Sequence, residues 1–405
     1  MQSHRAQMPH DELTEAAHLA YRLAYFVGST EDAASAACTD EEEGRGHRIK
    51  GFRPDSENPL QSLSSLGIAS STDLLELVCQ HATNGFTLAD AQLDPIGISM
   101  SPDVALINHS CKPNAAVVFP TPAAPGEQPT MQVAALRALG AGEQILASYV
   151  DLVEPYQQRQ ETLQTRYLFT CTCALCMKTA RPPGDWIDPR VAVRCGHRGC
   201  PGWVPPPAWP RDGPVDTARC PQCGRRTHFE HAQDMAERLA AYEALAARAV
   251  RAPLGAAAAP SYAALTDAIA WLAERVPPSH STLWTLRYTA HVQAIDDAAT
   301  KPSRWHEATQ LVLQLCAGMQ APGIPGDLSS ALYPPGHPVR AVLLATLGKL
   351  LMHGAGTDGR PNAELVLARQ ALEQALSEAE IGFGRRVMGG FVGAQVRDAL
   401  GIGTG

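Results

Sequence analysis

Three cysteines within six residues, Cys171-Thr172-Cys173-Ala174-Leu175-Cys176, constrain this chain more than any other feature. A tetrahedral thiolate site takes four ligands, so these three cannot close one by themselves. Cys111, far upstream in the run Ile107-Asn108-His109-Ser110-Cys111-Lys112-Pro113-Asn114, would supply the fourth. The two segments are therefore expected to meet in space around one zinc ion. A closed four-sulfur set has no open position for a substrate, which makes its work structural. It would clamp the Asn108-His109 turn against Tyr167-Leu168-Phe169.

The chain holds 11 cysteines, and no secretory h-region follows Met1. Intracellular thiols are kept reduced, so the cysteine usage points to metal sites rather than disulfides. A second group, Cys195-Gly196-His197-Arg198-Gly199-Cys200 with Cys220-Pro221-Gln222-Cys223, has two close pairs that can share a zinc ion as a ribbon or knuckle, with His197 as an alternative to Cys195. Cys38, Cys79 and Cys316 stand apart and read as small apolar residues. No apolar run reaches the ~20 residues that span a bilayer. The expectation is a soluble intracellular protein of nucleus or cytoplasm. A formal charge of −8 speaks against direct nucleic-acid binding, because phosphate neutralisation needs clustered Lys and Arg. A zinc-ribbon nucleic-acid binder would need a basic face near Arg194, Arg198, Arg225 and Arg226.

Apolar spacing predicts an amphipathic helix over 11–28 and another over 72–81, separated by a loop with an acidic run at 40–43. The second helix leads into Asn84-Gly85-Phe86-Thr87-Leu88. Short strands follow at 115–119, 131–136 and 144–149, then a helix over 155–166. Glu143 and Asp151 read as turn and cap residues. Residues 201–218, rich in Pro and Trp, form a linker. From 231 onward, helices are expected at 235–250, 262–276, 282–298, 305–316, 339–352 and 364–379, punctuated by prolines. Successive helical hairpins of this kind make a tetratricopeptide-like array. The fold class is α+β. Its expected division is 1–95 with a mobile loop, 96–180 with the small mixed-β core and first zinc segment, 190–230 with the ribbon and linker, and 231–405 with the helical array.

The two cysteine-bearing segments, with Ser148-Tyr149-Val150-Asp151-Leu152 and Tyr167-Leu168-Phe169, resemble the SET and MYND domain family of protein-lysine methyltransferases, closely over roughly residues 80–180. The resemblance implies a SET core, a post-SET zinc site, a helical C-terminal lobe, and S-adenosylmethionine as cofactor. The substrate would be a histone or other protein bearing a target lysine, with a chaperone or chromatin partner engaged through the helical lobe. Asn108 and His109 would belong to the cofactor site, with Phe169 packing on the adenine and Asn84 lining the pocket. Tyr149 and Tyr167 would be the catalytic pair and would also border the cofactor. The chemistry suits them, since a lysine with a free pKa of ~10.4 must lose a proton before it attacks a methyl group. An apolar channel disfavours its charged form, and tyrosine hydroxyls then orient the neutral amine. The family's N-terminal Gly-x-Gly strand and MYND finger have no counterpart in the residues; Gly44-Arg45-Gly46 has the form but no strand after it. The chain thus reads as starting inside the family's fold. The alternative to an enzyme is a catalytically inactive, zinc-stabilised scaffold for protein interaction.

Overall fold

The computed structural model describes residues 70–90, 92–119, 130–180, 186–206, 219–227, 232–252, 258–319, 331–355 and 362–402, together with helical residues 13, 14, 16, 17, 19 and 20. The acidic run, Gly44 to Gly46, Cys38 and most of the expected 201–218 linker lie outside them. The chain divides into two compact units, Met1–Phe86 with Ile98–Leu106, and Thr87–Gly97 with Ile107–Gly405.

The first unit is built on helix α1, Ser71–Asn84. Ser70 accepts from the Asp73 amide at 3.1 Å and the Asp73 carboxylate accepts from the Ser70 amide at 2.9 Å. This reciprocal cap satisfies two otherwise orphaned N–H groups and contributes about 1 kcal/mol. Leu74, Val78 and the fully buried Cys79 pack with Ala16 and Ala20 of the helical residues nearer the N-terminus. The helix runs three residues beyond the expected 81, so Asn84 is helical, and its Nδ2 donates to the Gln80 carbonyl at 2.7 Å. Gly85 then turns the chain, where a Cβ would stand 2.7 Å from the His81 carbonyl oxygen. Strands β1, Gly85–Ala89, and β2, Pro95–Met100, form a two-stranded sheet, and the division of the chain runs through both.

In the second unit β3, Asn108–His109, lies parallel to β6, Leu146–Ala147, while β4, Ala115–Val118, is antiparallel to β5, Gln132–Ala135. The expected strand over 144–149 shrinks to two residues. Beyond Ala147 the Tyr149 amide donates to His109 Nδ1 and the Ser148 hydroxyl donates to the Val150 carbonyl, so side-chain partners interrupt the ladder. This β layer has no core of its own. Ala116, Val118, Ala134 and Leu136 share one buried cluster with residues of the C-terminal helices. Small sheets need a second layer to bury their apolar face, and here helices supply it.

Helices α2, Tyr156–Tyr167, and α3, Ala174–Thr179, carry the first cysteine segment. Two short strands follow, β7, Val193–Arg194, paired antiparallel with β8, Trp203–Val204, the second of them inside the 201–218 stretch expected to be a linker. Then come α4, Ala232–Arg251; α5, Tyr262–Ala273; α6, Ser281–Ala298; α7, Ser303–Met319; α8, Pro338–Ala355; α9, Asn362–Gly382; and α10, Gly390–Leu400. From α5 onward, helices adjacent in sequence pack against each other. Helix α10 escapes the sequence pattern because Gly389, Gly390 and Gly393 depress its propensity. Gly393 is required there, since a Cβ would stand 2.2 Å from the Met388 carbonyl oxygen.

His280, at the start of α6, is 3% exposed and its Nδ1 has no hydrogen-bond partner. Burial lowers its pKa to about 4. In the unfolded chain it titrates near ~6.5, so its contribution to stability is complete above that pH and is lost as pH falls from ~6.5 towards 4, up to about 3 kcal/mol. His280→Leu is expected to flatten this acid limb. If thermal melts from pH 7 to 4.5 lose stability equally in both proteins, His280 is not the titrating group.

Candidate active site and metal centres

The β3–β6 pair brings the residues 107–114 loop onto the segment that ends in Tyr149, and Asn114 holds it there. This buried side chain donates to the Gln144 carbonyl at 2.9 Å and accepts from the Leu146 amide at 2.8 Å. Sequence reading assigned Asn114 no role. An amide that both donates and accepts suits this bridging, but nothing local reveals the partner strand.

His109 faces both ways from β3. Its Nδ1 accepts from the Tyr149 amide at 3.0 Å, which leaves the ring proton on Nε2, 3.2 Å from Cys111 Sγ. Burial lowers its pKa to about 4, so the imidazole is neutral and works as an orienting bridge. Around it stand Tyr149, with ring centroids 5.2 Å apart, and Phe169 at 5.9 Å. Tyr149 lies 4.9 Å from Tyr167 and meets Phe169 edge-on at 6.4 Å. All four rings are half-buried, so the cluster keeps an accessible side. Tyr167 and Phe169 both reach it because Leu168 between them takes a left-handed conformation, φ 58°, at the end of α2. The Tyr149 hydroxyl donates to the Ile107 carbonyl, and burial raises the pKa of both tyrosines. Both are therefore neutral phenols at physiological pH. Asn108 is exposed on the same strand, and Asn84 belongs to the first unit.

The four sulfurs of Cys111, Cys171, Cys173 and Cys176 lie within 4.8 Å of one another, and all four cysteines are free. Tetrahedral zinc with ~2.3 Å bonds places its sulfurs about 3.8 Å apart. Cys111 Sγ is 3.5 Å from Cys176 Sγ and 4.0 Å from Cys171 Sγ, spacings that fit such an ion. Gln160 of α2 clamps Cys171 by both its backbone groups, each at 2.9 Å. Arg159 is fully buried beside the set, within electrostatic reach of Cys111 and Cys176. One guanidinium nitrogen donates to the Glu154 carbonyl, while Nε and Nη2 have no partner. A buried cation with unmet donors fits a centre carrying the net negative charge of four thiolates and one divalent ion. Arg159 was overlooked because α2 is almost wholly polar; its one signal is the four-residue spacing to buried Leu163.

The second set, Cys195, Cys200, Cys220 and Cys223, also has its sulfurs within 4.8 Å of one another. His197 is not among them, since its Nε2 is bonded to the Arg226 carbonyl oxygen at 2.9 Å.

Two long-range bonds pin the segment after Tyr149. Asp151 accepts from the Tyr333 hydroxyl at 3.0 Å as well as from the Val153 amide in its own turn, and the Leu152 carbonyl accepts from Nε of buried Arg190 at 2.7 Å. Asp151 is thus a turn residue, as expected, with a distant partner that the sequence does not announce.

Residues 20–150 match the SET domain family model. Among curated proteins, the chain is 38% identical over 111 residues to N-lysine methyltransferase SMYD2 of Homo sapiens, covering 27% of this chain and 24% of that protein. It is 35% identical over 119 residues to SMYD2-A of Xenopus laevis, covering 29% and 26%. With Histone-lysine N-methyltransferase SMYD3 of Mus musculus the identity is 30% over 137 residues, covering 34% and 30%. The chain thus spans under a third of the length of these relatives, and over that stretch it is similar to proteins of the SET and MYND domain family.

Proposed function

We propose that this protein is an S-adenosylmethionine-dependent protein-lysine N-methyltransferase. The observation that carries the reading is the half-buried cluster of His109, Tyr149, Tyr167 and Phe169 beside the first four-cysteine set. S-adenosylmethionine supplies an electrophilic methyl group when bound. Asn108 and His109 would border that cofactor, with Phe169 offering a ring face to its adenine. The Tyr149 hydroxyl spends its proton on the Ile107 carbonyl, which leaves its lone pairs to accept from the N–H groups of a neutral lysine amine. Tyr167 would complete the orienting pair, and both rings would exclude water from the amine. Cys111, Cys171, Cys173 and Cys176 would hold zinc as a structural clamp behind the rings. The C-terminal helices would act as a tetratricopeptide-like lobe that receives a protein partner, chaperone or chromatin component, inside the cell.

Calorimetric titration of the full chain with S-adenosylmethionine is expected to give micromolar binding. Absence of binding in a folded, zinc-containing sample would instead favour an inactive interaction scaffold. Tyr149→Phe is expected to keep the fold and melting temperature while lowering methyl transfer about 100-fold, the scale of a misplaced reactant. Unchanged turnover in that variant would remove Tyr149 from the reaction.

A further inference from the structure

We propose that Cys195, Cys200, Cys220 and Cys223 hold a second zinc ion, and that this ion fastens the first half of the helical array. The site lies outside the 20–150 SET match and does not depend on the methyltransferase reading.

The sulfur spacing fits a tetrahedral ion. Cys200 Sγ and Cys220 Sγ are 3.8 Å apart and Cys195 Sγ and Cys223 Sγ 4.0 Å, against about 3.8 Å for thiolates around zinc. The backbone also serves the set, since the Gly202 amide donates to Cys200 Sγ at 3.4 Å. Amide donors aimed at sulfur favour its anionic form, the form that binds metal. Gly202 is required as well, because a Cβ there would stand 2.5 Å from Cys220 Sγ and 3.2 Å from Cys200 Sγ.

The ribbon has little regular structure to hold it. Its regular structure, among the described residues, is the two-residue pair β7–β8 and a single Arg219–Arg226 bridge. So few backbone bonds cannot offset the entropy of ordering the segment, whereas one metal ion links both halves of it. Yet the ribbon is embedded in a core. Val193, Val204, Cys195 and Cys220 are buried with Leu239 of α4, Leu265 and Leu272 of α5, and Leu283 and Leu286 of α6. The Arg194 amide donates to the Arg275 carbonyl at 2.7 Å and its Nε donates to the Glu274 carbonyl at 2.9 Å, which ties β7 to the end of α5. A metal-dependent ribbon inside this cluster makes the packing of α4, α5 and α6 metal-dependent too.

The test is metal analysis with hydrogen exchange on the full chain. Wild type is expected to carry two zinc ions. Cys220→Ser should carry one, with amide protection in α4 and α5 reduced at least tenfold while that of residues 107–118 and 156–179 is kept. Gly202→Ala, which retains all four thiols, should shift zinc loss at the second site to lower concentrations of a chelating dye, and it serves if Cys220→Ser does not fold. Cys176→Ser should keep the second ion and lose the other, so the two centres fail separately. A wild-type protein that holds only one zinc ion, retained in Cys220→Ser, would overturn the site. Loss of the second ion with unchanged protection in α4 and α5 would overturn its role in the array.

Discussion

Cys176→Ser is expected to strip one zinc ion from the protein and to scatter the aromatic cluster. The sulfur is 1% exposed and stands 3.5 Å from Cys111 Sγ, so serine offers a poorer ligand in a space that water does not reach. Structural zinc in small domains contributes on the order of 10 kcal/mol at neutral pH, comparable to the ~5–15 kcal/mol that keeps a whole domain folded. Two effects would compound the loss. Cys111 would no longer anchor the Nε2 side of His109, and Arg159 would lose the anionic centre that offsets its burial. The expected readouts are a fall in melting temperature on the order of 10 °C or more, and loss of amide protection over residues 107–114 and 167–179. Unchanged zinc content and an unchanged melt would show that these four cysteines are not a ligand set.

Glu378→Ala is expected to destabilise the protein by about 3–5 kcal/mol, through a different mechanism. Arg340 of α8 and Glu378 of α9 are each 7% exposed, and Arg340 gives two hydrogen bonds to Glu378 Oε1, at 2.7 and 2.9 Å. The other carboxylate oxygen accepts from the Gly336 amide. Gly336 itself sits at φ +80° with Ile381 Cγ2 2.3 Å from where a Cβ would be. Removing the carboxylate leaves a buried guanidinium without its charge partner and frees the turn that leads into α8. The double variant Arg340→Met, Glu378→Leu should recover most of the loss, because buried ion pairs replaced together by apolar groups are often neutral. Chemical denaturation of the three proteins measures both terms. A single variant as stable as wild type would mean that the pair is not worth its desolvation.

Much of the candidate site was legible because its signals are local. Ligand type and spacing within 171–176, 195–200 and 220–223 are properties of a few adjacent residues, and an incomplete set of three demands a fourth from elsewhere. The helices from α4 to α9 were likewise legible to within a few residues, because a 3.6-residue period and proline breaks are written along the chain. Strands β4 and β5 were legible as apolar runs, whereas a near partner alone did not reveal β1 with β2 or β7 with β8, and side chains complete the backbone where β6 stops short. The expected strand over 144–149 stops after Ala147 because His109 and Ser148 take the next polar groups.

Residue type and local spacing are enough for the inventory: two four-cysteine sets, a group of tyrosines, a phenylalanine and a histidine around the first, and a long helical C-terminal region. How that inventory is held depends on contacts between distant parts of the folded chain. Folding places Arg159 in full burial beside the first set, Asn114 across the Gln144 and Leu146 backbone, Gln160 on Cys171, and Tyr333 on Asp151. It also embeds the second set in the core of α4, α5 and α6. Asn114 and Tyr333 meet their partners across 30 and 182 residues of chain. A polar side chain carries no local mark of which distant backbone group it will satisfy, because that is settled only when both are removed from water together.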